Sequence, residues 1–125
     1  MFGKGKQEPQ APRDWFDDGG SQLAWLQAWY MSNCDGDWEH SYGVSIDTLD
    51  NPGWSVRISL VGSWLSDRPF ERVTVERAEH DWVHAWVEGD DFRIMCGPLN
   101  LSEGLWMFRE WVRPDWMNQG NNGTT

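Results

Sequence analysis

Cys34-Asp35-Gly36-Asp37-Trp38-Glu39-His40-Ser41-Tyr42-Gly43 runs into Val44-Ser45-Ile46-Asp47-Thr48-Leu49, and that into Asp50-Asn51-Pro52-Gly53-Trp54. The first part is an acidic loop with Gly36 at its centre, and it ends whatever precedes it. From Tyr42 the residues Tyr42, Val44, Ile46 and Thr48 alternate with smaller or polar ones, the period of a half-buried strand. Asp50 to Gly53 is a turn: Pro52 pre-sets one backbone angle and Gly53 is free to take positive φ. Trp54, Val56, Ile58 and Leu60 then resume the alternation. The stretch predicts a β-hairpin with an acidic, aromatic loop at its entrance.

Upstream, Ser21 to Ser32 predicts a helix. Leu23, Leu26 and Tyr30 fall on one stripe, and Trp25 and Trp29 form a neighbouring i,i+4 pair. Ser21 is the N-cap, Asp17 and Asp18 sit where the helix dipole favours negative charge, and Asn33 and Gly36 stop it. Residues 1–13 hold Gly, Lys, Gln, Pro and Arg with little apolar content and read as a disordered lead.

Downstream, Trp64 to Pro69 reads as a loop. Strands follow at about 71–77, 82–88 and 92–96, with Glu88-Gly89-Asp90-Asp91 a tight hairpin signal. Asn100 to Arg113 is a second helix. Asn100 followed by Glu103 resembles a capping box, Leu101, Leu105, Phe108 and Val112 form the stripe, and Pro114 ends it. Residues 115–125 read as a disordered tail. The expected fold is α+β: a single domain over 14–114, an antiparallel meander of about five strands with two helices on one face.

Parity sorts the faces. Tyr42, Val44, Ile46, Trp54, Val56, Ile58, Leu60, Val73, Val75, Val83, Ala85, Val87, Phe92, Ile94 and Cys96 form the core face. The other face is polar except for a stripe of Trp82, His84 and Trp86.

The chain has 125 residues, enough for one domain with its own core. Eleven of them are Trp, so indole fills much of that core or serves a contact surface. Formal net charge is −10, although Lys4, Lys6 and Arg13 all lie in the lead. Such a charge opposes binding to nucleic acid or an anionic membrane and favours a basic partner, with plain solubility as the competing account. No secretion signal opens the chain and no apolar run reaches membrane-spanning length, which points to the cytoplasm and to free thiols at Cys34 and Cys96.

Asp35, Asp37, Glu39 and His40 invite a metal or an acid–base reading. The EF-hand template fails, because His40 stands where it needs Gly and Ile46 where it needs Glu. Zinc would want paired Cys/His spacings, which Cys34 with His40 matches only weakly, and carboxylates that cap nearby N–H groups account for the cluster more simply. No nucleophile elbow or phosphate loop is present, so an enzyme or metal-dependent protein built on these four residues is the alternative, and no metal or cofactor is expected. The main reading is a partner surface of Asp35, Asp37, Trp38, Glu39 and His40 in the loop, with Trp82, His84 and Trp86 on the sheet. For the sheet stripe, cross-strand packing under Arg57 or Arg93 competes with a contact role.

Trp25-Leu26-Gln27-x-Trp29-Tyr30, Cys34 to Gly43, and Thr48 to Trp54 closely resemble the immunity protein 53 family. Asp81-Trp82-Val83-His84-x-Trp86-Val87 and Phe108-Arg109-Glu110-Trp111-Val112 continue the likeness, which covers about residues 22–113. The resemblance implies the immunity half of a bacterial polymorphic toxin system: a non-enzymatic protein that binds a cognate toxin and occludes its active site. An acidic inhibitor suits a basic toxin, and toxins that attack nucleic acid are basic.

Overall fold

The computed structural model describes residues 21–120, and side chains as far as Val112. The lead expected over 1–13, the Asp17–Asp18 pair and residues 121–125 lie outside that range. In chain order the elements are α1 (Gln22–Asn33), α2 (Trp38–Ser41), β1 (Val44–Leu49), β2 (Gly53–Ser59), β3 (Val73–Ala78), β4 (Asp81–Glu88), β5 (Asp91–Cys96) and α3 (Leu101–Gly120). The five strands make one antiparallel sheet with helices packed against it, an α+β fold.

The strand order is β1-β2-β5-β4-β3, so the sheet is not the simple meander that the short connections predict. Tight turns fix β1 beside β2 and β3 beside β4 beside β5. The longer segment between β2 and β3 leaves the choice open, and burial decides it. The inner residues of β5, Phe92, Ile94 and Cys96, are fully buried, so β5 takes the middle. β3 exposes Thr74, Glu76 and Arg77 and takes an edge, where charge discourages further pairing. The connecting segment brings Leu65 fully into the core and sets the Phe70 ring 4.8 Å from Phe92.

Register confirms the parity of the faces. Val44, Ile58, Phe92 and Val87 form one inner row, and Ile46, Val56, Ile94, Ala85 and Val73 the next. A third row holds Trp54, Cys96, Val83 and Val75. Tyr42 is the exception. It follows the short helix α2 as its C-cap and is exposed, because the chain takes a helical turn at Trp38 that the acidic loop had hidden.

Both helices sit on the inner side. The stripe of α3 is as expected, with Leu105, Phe108 and Val112 buried. At Gly104 the helix lies so close to β5 that a Cβ would stand 2.7 Å from Ile94 Cγ2. Any side chain there would push the helix off the sheet. Pro114 does not end α3, which runs on to Gly120, so residues 115–120 continue the helix. A proline removes one backbone hydrogen bond and can kink a helix without terminating it.

Helix α1 packs chiefly on α3. Its cap is the predicted one: Ser21 Oγ accepts from the Ala24 N–H at 2.9 Å. Its buried stripe is Gln22, Leu26 and Trp29, not Leu23, Leu26 and Tyr30. The helix turns to bury the larger indole, placing Trp29 5.0 Å from the Phe108 ring and 6.3 Å from Trp38. Leu23 and Tyr30 are left exposed, and Gln22 is satisfied by the Arg109 guanidinium at 3.2 Å.

Candidate functional site

The acidic turn between α1 and β1 is built by its own carboxylates. Asp35 Oδ1 accepts from the N–H groups of Asp37 and Trp38, both at 2.9 Å. Glu39 reaches back, its two oxygens accepting from the N–H groups of Asp35 at 3.0 Å and Gly36 at 2.8 Å. Gly36 sits at φ 94°, which a side chain would resist. These bonds favour the charged carboxylates. The Trp38 and Asp37 N–H groups hold Asp35 below its usual range, and Glu39 is lowered first by its own N–H and also by those of Asp35 and Gly36.

Trp38 points the other way. It is 8% exposed, and its indole N–H donates to the Val61 carbonyl at 2.7 Å. In the free protein it is therefore a core residue that pins the turn. What the turn presents outward is Asp37, whose side chain makes no cap bond, together with Asp35 and His40. Exposed Tyr30, Met31 and Tyr42 lie alongside, with the Tyr30 and Tyr42 rings 5.8 Å and 6.5 Å from Trp38.

The second surface is the outer side of the sheet, opposite the helices. Trp82, His84 and Trp86 lie on it together, all half-buried. Trp82 and His84 meet edge to face at 5.2 Å, and His84 Nε2 is 2.8 Å from Glu76 Oε2. An open groove lined by Glu76, Glu79, Trp82 and His84 runs along this end. Trp86 lies between two guanidiniums, with Arg72 4.7 Å and Arg93 5.9 Å from its ring. Its indole N–H donates to Glu88 at 3.1 Å.

A third cluster escaped the sequence. Arg77 stands at a β-bulge, where the register slips between Glu76 and Ala78. It donates to Asp81 at 2.9 Å and to Glu103 at 2.5 Å. Asn100 donates to Asp81 and Glu103 at 2.9 and 3.1 Å and accepts from the Trp82 N–H. So Asn100 and Glu103, read as a capping box, instead tie α3 to the β3–β4 turn. The only signal in the sequence was an Arg four residues before an Asp across a turn. Gly97 allows the arrangement, since a Cβ there would meet Asn100 Oδ1 at 2.6 Å. Glu103 is almost wholly buried, its second oxygen unpartnered among the described residues. Nearby Cys96 is pushed up to about 12 by burial and by the charge of Glu103.

Among the described residues no three His, Cys, Asp or Glu side chains gather to hold a metal ion, and no helix is long and apolar enough to cross a membrane. Cys34 and Cys96 are both free thiols. The geometry offers rigid charge, exposed aromatics and guanidiniums, which are the means of protein recognition.

No curated protein and no solved structure matches the chain. The model of one family, described as Immunity protein 53, matches residues 23–113, which takes in both surfaces, and the chain belongs to that family of immunity proteins.

Proposed function

We propose that this protein binds and neutralises a cognate toxin inside the producing cell by covering the toxin's active site, and that the acidic turn makes the central contact. The observation that supports this reading is the turn itself. The carboxylates of Asp35 and Glu39 are fixed by backbone bonds, Asp37 stands outward, and Tyr30, Met31 and Tyr42 are exposed nearby. Preorganised charge next to apolar area steers a basic partner and then buries against it. A toxin that attacks nucleic acid is such a partner, because it must itself attract phosphate. Asp35, Asp37 and Glu39 supply the charge of the contact, His40 stands beside them, and Trp38 holds the turn in place. Trp82, His84 and Trp86 extend the contact onto the sheet.

The test is growth of bacteria that express the toxin encoded beside this gene. Co-expression of the wild-type protein is expected to restore growth. A variant carrying Asp37→Lys and Tyr42→Ala, folded but altered at the turn, is expected to restore it poorly. Full protection by that variant would remove the turn from the contact, and no protection by the wild type would end the immunity reading.

A further inference from the structure

We infer that the outer face of the sheet docks a carboxylate-bearing segment of the partner protein, through the cross-strand row of Arg57, Arg93, Trp86 and Arg72. This rests on the reading that the chain binds a protein toxin, and it names chemistry on that toxin opposite in sign to the chemistry that meets the acidic turn.

The row follows from register. Ser45 faces Arg57, Arg57 faces Arg93, and Arg93 faces Trp86. Arg72, one residue before β3, comes over the same indole from the β3 side of β4. Two arginines in direct cross-strand register repel each other, an arrangement that costs stability where nothing compensates. In a chain of net charge −10, three guanidiniums in one line on an open face need a reason.

Their hydrogen-bonding capacity is largely unspent. Among the described residues neither Arg57 nor Arg72 has an ion pair. The ion-pair partner of Arg93 is Glu88 at a loose 3.8 Å, and its buried Nε has no partner among the described residues. A guanidinium fork fits a carboxylate with two parallel bonds, and an anion placed over the row would relieve the Arg57–Arg93 repulsion as it bound. Trp86, half-buried with a guanidinium over it from each neighbouring strand, adds an apolar edge, and Trp with Arg is the composition of interface hot spots.

The surroundings select the anion. Glu88 and Asp91 occupy the neighbouring row on the same face, and Asp47 lies on the row beyond Arg57. A nucleic-acid backbone, with a charge at every step, would run into these carboxylates. One or two Asp or Glu side chains on a protein segment would not. The row also lies towards the end of the sheet where the acidic turn enters, since Gly43 O accepts from the Ser59 N–H at 3.0 Å. Patches of opposite sign at one end of the molecule fix the orientation of a partner as well as attract it.

The experiment titrates the full-length protein with a short oligoglutamate peptide while following the Trp86 indole N–H signal by NMR. Oligolysine of the same length and an oligothymidylate serve as the other arms. Oligoglutamate is expected to shift the signal saturably and the other two to leave it in place. Replacing Arg57→Gln and Arg72→Gln together, both on exposed side chains, is expected to weaken binding about tenfold without lowering the melting temperature. The inference is overturned if oligoglutamate gives no saturable shift, if either other arm gives the same shift, or if the double variant binds as the wild type does. Growth protection with no peptide binding would remove only this assignment. Peptide binding without growth protection would remove only the immunity reading.

Discussion

The indole N–H of Trp38 donates to the backbone carbonyl of Val61 at 2.7 Å, joining the acidic turn to the exit of β2. The two residues are far apart in sequence, and this bond with the Trp29 contact sets where the turn stands on the molecule. Replacing Trp38 by Ala is expected to cost about 3–5 kcal/mol, through the lost ring and the cavity it leaves. Trp38→Phe keeps most of the packing and leaves the Val61 carbonyl unpaired, so it is expected to cost about 1–2 kcal/mol. Urea unfolding of the two variants measures both. Equal and negligible losses would mean that the turn is not pinned by the indole.

The Arg77 cluster predicts a dependence on acid. Asp81 is held below its usual range first by the hydrogen bond from Arg77 and also by Asn100, while Asp35 and Glu39 are lowered by backbone N–H groups. A carboxylate depressed on folding contributes stability above its unfolded pKa, about 4, and loses it as pH falls through the folded value. Stability is therefore expected to drop as pH falls below about 5, with no slope from these groups between about pH 6 and 8. Asp81→Asn should flatten part of the acid slope in urea midpoints taken across that range. Arg77→Ala is expected to cost about 3 kcal/mol at neutral pH, because it strands the buried Glu103 carboxylate.

The two thiols are expected to differ in reactivity. Cys34 is partly exposed at the end of α1, whereas Cys96 is buried and its thiol pushed up to about 12. Thiolate is the reacting form, so Cys96 stays inert near neutral pH while the fold holds. Mass spectrometry after iodoacetamide should find one adduct, on Cys34, in the native protein and two in urea. Prompt labelling of Cys96 in the native state would contradict its place under α3.

Much of this was legible in the sequence, because β parity is a local property. Val56, Ile58, Val83, Ala85, Phe92, Ile94 and Cys96 alternate without interruption, and all are fully buried. The pairing of β2 with β5 was not legible from turns. The charges of β3 and the unbroken apolar alternation of β5 carried the signal for an edge and a centre. The rotation of α1 was missed because Leu23 and Tyr30 look as apolar as Trp29, and only the Phe108 contact decides between them. At the candidate site the sequence brought Asp35, Asp37, Glu39 and His40 together and counted Trp38 with them as a partner contact, with a core place for its ring as the competing account; the ring is buried. An indole two residues from a flexible Gly gives no local sign of its burial. Parity put Arg57 or Arg93 against the outer tryptophans, and Arg93 does lie over Trp86; the full Arg57–Arg93–Trp86–Arg72 row needs strand order as well.

The central claim is that the acidic turn contacts a basic toxin, and association kinetics test it most directly. Asp37 is the residue to change, since its side chain caps nothing. Stopped-flow mixing with the cognate toxin is expected to give an association rate that falls steeply as salt is added. Asp37→Lys is expected to slow association several-fold at low salt and to flatten the salt dependence, with the melting temperature unchanged. Association with the same rate and the same salt dependence in wild type and variant would contradict the account.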